Sequence, residues 1–166
     1  SEFILFVGTL EPRKNLAKLV ESLRDQPDLP PLVVAGATGW GDVAVEASDK
    51  VKFLGHVEDQ FLSGLYAAAS VMAYPSLWEG FGLPVLEAMA QGTPVVTSEL
   101  ISTQEVADGA AVLVDPRNAE SIQHGIRAAL ADRASLSQRG LERAAQATWS
   151  KTAEITAAVY DEVIAQ

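Results

Sequence analysis

Residues 71–97 read VMAYPSLWEGFGLPVLEAMAQGTPVVT and combine three patterns of secondary structure. The apolar run Val71–Tyr74 predicts a buried strand. Leu83–Gln91 predicts a helix, because it ends at Gly92, a residue type that suits the C-terminus of a helix. Pro94–Thr97 predicts a second buried strand. A strand, a helix and a strand in this order, with both strands apolar throughout, are typical of a parallel sheet covered on both faces.

The same alternation continues on both sides of this stretch. Further short apolar runs predict strands at Phe3–Val7, Leu32–Ala35, Val51–Leu54 and Ala111–Val114, and helical spacing marks Leu16–Leu23, Phe61–Tyr66 and Ile122–Leu130. The tail Arg133–Gln166 predicts helix alone. With right-handed crossovers, these elements give a Rossmann-like, doubly wound α/β domain of about six strands, with helices on both faces and a helical tail. We take residues 1–166 as one domain.

Composition narrows the classes of function. The chain has 166 residues, 48% of them hydrophobic, which suits one domain with a real core. Its net charge of −10 disfavours broad nucleic-acid binding, which depends on Lys and Arg. The absence of cysteine excludes disulfides and thiolate metal sites. No apolar run is long enough for a membrane span and no signal peptide is visible, so we expect a cytoplasmic protein.

The loop after the predicted strand Val71–Tyr74 is the first candidate site, because ligands of such sheets bind beyond the carboxyl ends of the strands. Gly80 and Gly82 allow a close approach of the backbone, and the amides that begin the next helix favour an anion. Glu79 and Glu87 flank this loop and suit sugar hydroxyls better than phosphate. On spacing alone, solvated glutamates beside an ordinary turn explain the pattern equally well.

The loop after the first strand, residues 8–15, is the second candidate. Arg13 and Lys14 are the only adjacent basic residues in a strongly acidic chain, and they suit a diphosphate. The alternative is a solvated start of a helix. His56 follows the third strand at the same edge, where it would meet a base or a sugar, whereas we expect His124 on the surface.

Four aromatic residues near these loops are interpreted as packing residues rather than as stacking partners of a ligand: Tyr74, Trp78, Phe81 and Trp149.

Taken together, these motifs resemble one family. Glu79-Gly-Phe-Gly-Leu-Pro-Val-Leu-Glu87 is similar to the E-x7-E signature of retaining GT-B glycosyltransferases of family four (glycosyl transferases group 1). Residues 7–15, VGTLEPRKN, resemble the first strand and loop of that family, and residues 53–57, FLGHV, resemble its middle. Because landmarks continue to Trp149, the resemblance covers nearly the whole chain, which is similar to the C-terminal, donor-binding half of such enzymes.

The resemblance implies a role for each matched residue. Glu79 would meet hydroxyls of the transferred sugar near the reacting carbon, and Glu87 would hold the ribose. Lys14 would bind the diphosphate. The remaining donor-binding positions implied by the resemblance are Gly8, Thr9, Arg13, His56, Val57, Gly80, Phe81, Gly82 and Leu83. The resemblance also implies that the enzyme needs neither a metal ion nor a cofactor.

The resemblance also implies a substrate and a partner. The full protein would move a hexose from a nucleotide-diphosphate sugar, with GDP-mannose favoured, to a glycan or a lipid-linked acceptor in polysaccharide biosynthesis. An N-terminal acceptor domain would be the partner, and without it we expect the chain to be inactive. Peripheral association of the parent enzyme with a membrane is left open.

Three residues depart from the family pattern. Thr9 stands where the family often has an arginine, so that either Arg13 supplies the missing charge or the diphosphate is held more weakly. Ser70 replaces a usual aspartate and Gln104 a usual proline. A non-catalytic nucleotide-sugar binding module, a UDP-sugar transferase and a related epimerase or phosphorylase remain as alternatives.

The last helical stretch carries one further expectation. Ile155, Val159 and Val163 form an apolar stripe, and the last helix of the family tends to cross to the other domain. We therefore expect this stripe to be partly exposed in the chain by itself.

Overall fold

The computed structural model describes residues 2–41 and 43–165, which form six strands and seven α-helices. The strands are β1 Ile4–Val7, β2 Leu32–Ala35, β3 Val51–Gly55, β4 Val71–Tyr74, β5 Val95–Ser98 and β6 Val112–Val114. The helices are α1 Leu16–Leu23, α2 Asp59–Ala68, α3 Leu83–Ala90, α4 Ile101–Ala107, α5 Ala119–Ala131, α6 Arg133–Gln146 and α7 Trp149–Ile164. Each predicted strand is present, with its ends within one residue of the prediction.

All strand pairs are parallel, in the order β3-β2-β1-β4-β5-β6. The sheet is therefore the predicted doubly wound, Rossmann-like sheet. The chain changes its direction of winding between β1 and β4, where Ile4 pairs with Val71 and Leu5 with Met72. The connections after β1 and β4 consequently lead to helices on opposite faces of the sheet. Between their starting points lies the crevice in which such sheets bind ligands.

Alternate residues of each strand enter two separate cores. In β1, Ile4 and Phe6 face the core formed with α1 and α5, while Leu5 faces the core formed with α2, α3 and α4. Because both faces of the sheet are covered, the central strands are apolar at every position and fully buried.

Two features of the helices differ from the prediction. Helix α4 was not predicted, and its buried face includes Thr103, whose hydroxyl donates to Ser98 O at 2.6 Å. The helical tail is interrupted at residues 147–148, where Thr148 caps α7 by accepting a hydrogen bond from Lys151 N. Gln166, which ends the predicted tail, lies outside the described residues.

Helix α7 buries none of its described residues. The exposed fractions of Ile155, Val159 and Val163 are 56%, 53% and 65%, which confirms the expected partial exposure of this apolar stripe. None of the helices over residues 2–41 and 43–165 combines the length and the apolar character that crossing a bilayer requires.

Candidate functional site

The loops after β1 and β4 are joined directly at the crevice. Leu77 N donates to Arg13 O at 2.7 Å. Asn15 takes the left-handed conformation, with φ of 63°, and its side-chain Nδ2 donates to Pro75 O at 2.9 Å and to Pro116 O at 2.7 Å. These bonds fix the loops that carry Lys14 and Glu79 relative to each other.

Five side chains form one charged cluster in this crevice, which we call the Glu79 cluster: Glu11, Arg13, Lys14, Tyr74 and Glu79. Glu79 Oε1 accepts hydrogen bonds from Lys14 Nζ and from Tyr74 Oη, both at 2.7 Å. Glu79 Oε2 accepts from Arg13 Nη1 at 3.0 Å. The Lys14 ammonium also donates to Tyr74 Oη.

The cluster is largely shielded from water. The side chains of Glu79 and Lys14 are only 7% and 9% exposed, whereas Arg13 is 32% exposed. Burial raises the pKa of Glu79, but the hydrogen bonds from Lys14 and Tyr74 outweigh it and leave the pKa below its ordinary value. Burial, assisted by the Glu79 charge, raises the pKa of Tyr74. The carboxylate is therefore ionised and the tyrosine hydroxyl keeps its proton near neutral pH.

Arg13, a predicted diphosphate ligand, is bonded to two carboxylates of the cluster. Its Nε donates to Glu11 Oε2 at 2.8 Å while its Nη1 binds Glu79. Two cations and two carboxylates thus balance within the cluster. A diphosphate at this place would meet cations that already have partners.

The N-terminus of α3 lies directly after Glu79. Gly82 is the residue before the helix and has φ of 104°, a conformation that L side chains rarely adopt. Val85 N already donates to Gly82 O, and Pro84 has no N–H. The amides of Phe81, Gly82 and Leu83 donate to no backbone carbonyl of the described residues, so they can bind an anion.

Glu87 lies outside the Glu79 cluster. Its Oε2 accepts a hydrogen bond from Tyr66 Oη at 2.9 Å. It lines an apolar groove of about 540 Å³ together with Phe81 and Leu83, and α6 and α7 form the opposite wall. The two glutamates thus lie on either side of the segment that begins α3.

Four of the five remaining predicted residues line a second cavity of about 210 Å³, at the ends of β1, β2 and β3, and the fifth, Gly80, lies outside it. Gly8, Thr9, His56 and Val57 contribute to its wall. Gly8 also connects this cavity with the Glu79 cluster, since a Cβ at Gly8 would lie 3.5 Å from Lys14 Cε.

The prediction that four aromatic residues pack in the core is wrong for three of them, and the contacts of two tyrosines with the glutamates were not predicted. Trp78, Phe81 and Trp149 are exposed, and only Tyr74 packs in the core as expected. Neither Tyr66 nor Tyr74 was proposed as part of the site, although each binds one of the glutamates. The available signal was the position of Tyr74 at the ligand end of a strand, because a buried tyrosine usually finds a partner for its hydroxyl.

No three His, Asp or Glu side chains of the described residues are grouped so that they could hold a metal ion. His124 is exposed on α5, as expected.

Two curated relatives are similar to the chain. It is 38% identical over 172 residues to O-antigen chain mannosyltransferase B of Escherichia coli, with 95% of this chain and 45% of that protein covered. It is 36% identical over 132 residues to O-antigen chain mannosyltransferase RfbU of Salmonella typhimurium, with 75% and 37% covered. The chain therefore spans less than half the length of these relatives.

Solved structures share the fold. Sucrose-phosphate synthase from Thermosynechococcus elongatus superposes with a TM-score of 0.84 at 28% identity, over 99% of this chain and 46% of that one. Anabaena HepE in complex with UDP gives a TM-score of 0.80 at 21% identity, over 99% and 49%. The family model described as "Glycosyl transferases group 1" matches residues 1–147. With most of its length matched, the chain belongs to the glycosyl transferases group 1 family.

Proposed function

We propose that the chain is the donor-binding domain of a retaining glycosyltransferase that takes a hexose from a nucleotide-diphosphate sugar. The observation that carries the proposal is the contact between Lys14 and Glu79 at the crevice between β1 and β4, beside the N-terminus of α3. A cation, a carboxylate and amides without a backbone partner among the described residues lie close together there, which suits the two ends of such a donor. Membership of the family supports the proposal.

In the proposed complex the diphosphate is held at the start of α3. The amides of Phe81, Gly82 and Leu83 and the Lys14 ammonium stabilise the negative charge that develops on the departing nucleoside diphosphate. Arg13 contributes to the extent that Glu11 and Glu79 release it. In this proposal these groups alone stabilise the leaving diphosphate, and no step requires a metal ion or an organic cofactor.

Glu79 and Glu87 divide the rest of the donor between them. Glu79, the catalytic residue of the proposal, accepts a hydrogen bond from a hydroxyl of the transferred sugar. Its negative charge also offsets the positive charge that develops on the sugar ring. Glu87, exposed on α3 and held by Tyr66, binds the ribose. The cavity lined by Gly8, Thr9, His56 and Val57 receives the base. Gly80 leaves space beside the sugar, because a Cβ built there would meet no atom within 4 Å.

The proposed sugar is mannose, carried by GDP. Support comes from the two relatives above, both named mannosyltransferases of the O-antigen chain. By the same reasoning, the proposed acceptor is a growing polysaccharide or a lipid-linked glycan.

The proposed partner is a second domain that completes the cleft. The chain matches less than half of the length of each relative. Helix α7 also carries an apolar stripe that stays exposed to solvent among the described residues. Transfer would therefore require both halves, in the cytoplasm where nucleotide sugars are made.

Titration of the chain with GDP, UDP, ADP and their sugars tests the proposal. Calorimetry or amide NMR should show binding of one nucleoside diphosphate, with shifts confined to residues 8–15, 55–57 and 79–87. The Lys14→Ala variant should lose most of this binding. Absence of binding to every nucleotide would contradict a working donor site, and transfer that survives Glu79→Ala in a protein with both domains would contradict the role of Glu79.

A further inference from the structure

Each of the two glutamates accepts a hydrogen bond from a buried tyrosine. Tyr74 Oη lies 2.7 Å from Glu79 Oε1, and Tyr66 Oη lies 2.9 Å from Glu87 Oε2. Both tyrosine side chains are fully buried and belong to the same core beneath α3. The two glutamates are thus held from inside the domain, on the side opposite to an incoming ligand.

We propose that Tyr74 is a positioning residue for Glu79: its hydroxyl keeps the Glu79 carboxylate in place while a diphosphate draws Lys14 away. This inference rests on the proposed function, because it takes Lys14 as a ligand of the diphosphate and Glu79 as the residue that meets the sugar.

The positions of the two donors differ in rigidity. Tyr74 ends the central strand β4, and its carbonyl accepts a hydrogen bond from Thr97 Oγ1 of the neighbouring strand at 3.1 Å. Its ring is packed on all sides in the core. Lys14, in contrast, reaches Glu79 through a long flexible side chain from a 3-10 turn, Pro12–Lys14. Of the two groups on Oε1, only Tyr74 is fixed by the sheet.

Binding of a diphosphate changes the balance on Oε1. That oxygen accepts from Lys14 Nζ and Tyr74 Oη together. A diphosphate carries more negative charge than one carboxylate, so it competes for the ammonium. Once Lys14 turns to the phosphate, Tyr74 is the remaining donor on Oε1. Without it, the carboxylate would be held only through Oε2 by Arg13, whose side chain is 32% exposed, and could rotate away from the sugar hydroxyl.

Protonation supports the same assignment. The groups that face Glu79 are Lys14, Arg13 with Glu11 behind it, Tyr74 and the buried Ser76 hydroxyl. Burial and the hydrogen bond to Glu79 raise the pKa of Tyr74, so its hydroxyl remains a donor near neutral pH, where the Glu79 carboxylate is ionised.

Tyr74→Phe removes this donor without changing the shape of the core, and Tyr66→Phe is the matched control. The control also removes one hydroxyl from a fully buried ring that binds a glutamate, but it acts on Glu87. Thermal unfolding of both variants establishes that they fold. The probes are GDP and GDP-mannose, with UDP and UDP-glucose as the second pair, titrated into this chain by calorimetry.

We expect Tyr74→Phe to change the affinity for the nucleotide sugar more than the affinity for the nucleoside diphosphate. Tyr74→Phe should weaken binding of the nucleotide sugar by about 10-fold relative to the plain diphosphate, because the lost hydrogen bond oriented the group that meets the sugar. Tyr66→Phe should weaken both ligands by the same factor, because Glu87 contacts the part that they share. Equal weakening of both ligands by Tyr74→Phe would overturn the proposal.

Titration of the Glu79 carboxyl by ¹³C NMR gives a second readout, which needs no ligand. In Tyr74→Phe the pKa of Glu79 should rise, and in Tyr66→Phe it should stay at the wild-type value. In the wild-type chain the Tyr74 hydroxyl proton should be protected from exchange both before and after GDP is added, and this measurement requires no variant. Loss of that protection on adding GDP would overturn the proposal.

The proposed function and this inference fail in different ways. If the wild-type chain binds none of the probes, the donor site is wrong. If the wild-type chain binds them and Tyr74→Phe binds both members of a pair as the wild type does, the donor site stands and the role of Tyr74 is wrong.

Discussion

Lys14 and Glu79 are separated by 65 residues in the sequence, and the Lys14 ammonium lies 2.7 Å from Glu79 Oε1. In the proposed complex Lys14 binds the diphosphate that leaves and Glu79 binds the sugar that is transferred, so they lie on either side of the bond that breaks. Their direct contact means that binding of the donor exchanges an internal ion pair for contacts with the ligand. The affinity for the diphosphate therefore contains the energy of separating that pair.

Replacement of Glu79 by Gln should separate binding from transfer. The neutral amide no longer competes for Lys14 and Arg13, so binding of the nucleoside diphosphate to this chain should become about 3- to 10-fold tighter. Transfer by a protein with both domains should fall by at least about 100-fold, as when an electrostatic group at a reacting centre is lost. Calorimetry and a transfer assay measure the two effects. Glu21→Gln, which affects only an exposed pair with Lys18, is the control.

Replacement of Lys14 by Ala should weaken binding of the diphosphate by about 10- to 100-fold, the range of one charge-assisted hydrogen bond to a phosphate. Lys18→Ala removes the same charge four residues further along the chain, from a side chain of α1 that pairs with Glu21, and should leave the affinity unchanged. Equal loss in the two variants would show that only the overall charge matters. The affinity of the wild-type chain should also fall with added salt more steeply than that of Lys14→Ala.

The stability of the chain should depend on pH through Glu79. Burial raises the pKa of this carboxyl, the bonds from Lys14 and Tyr74 more than offset it, and the folded-state pKa lies below the ordinary value of 4.5. The stabilisation is therefore complete above about pH 4.5 and is lost as the pH falls through the folded-state pKa. Urea unfolding between pH 3 and pH 7 should show a smaller loss of unfolding free energy at acid pH in Glu79→Gln than in the wild type. An identical slope in the two proteins would exclude this contribution, and Glu21→Gln should keep the wild-type slope.

The fold was predictable because its strands are short apolar runs that no other element imitates. A strand such as β1 or β4 is buried on both faces, so its sequence is apolar at every position. Helix α4 was missed because a buried polar residue, Thr103, stands where an apolar one marks a helix face. Its hydroxyl is satisfied by Ser98 O and Leu100 O, which only the folded chain reveals.

The sequence predicted which loops form the candidate site, but it did not predict which side chains of those loops bond to each other. Lys14 and Glu79 follow two strands whose ends meet, so their proximity follows from the order of the strands. The pairing of Arg13 with Glu11, and of each glutamate with a tyrosine, depends on side-chain geometry across elements. Hydrophobic periodicity marks Tyr66 and Tyr74 only as core residues, because their rings are buried and only the hydroxyls reach the site.

The apolar stripe of α7 should contribute nothing to the stability of this chain. Val159 is exposed and α7 buries no described residue, so Val159→Glu should change the free energy of unfolding by less than about 0.5 kcal/mol. Ile126→Ala, at a fully buried position of α5, should cost about 2–5 kcal/mol. Urea unfolding compares the two variants. A large loss in Val159→Glu would show that α7 packs against the domain, and lost transfer in a two-domain protein would support its proposed role as an interdomain contact.

Asn15 should be the residue on which the geometry of the site depends most, although we expect it to touch no ligand. Its Nδ2 donates to Pro75 O and Pro116 O, and its φ of 63° suits Asn better than most residues. Asn15→Asp keeps the shape and the tolerance of this conformation but removes both donors, so it should lower the free energy of unfolding by about 2–4 kcal/mol and also weaken diphosphate binding. Asn15→Gly removes the same bonds without placing a new charge against two carbonyls, and should be destabilised less. Urea unfolding and calorimetry measure the two effects. If Asn15→Asp unfolds with the wild-type free energy, the bonds from Asn15 to the carbonyls of Pro75 and Pro116 do not hold the site together. The alignment of Lys14 with Glu79 must then rest on the hydrogen bond from Leu77 N to Arg13 O and on the ion pair itself.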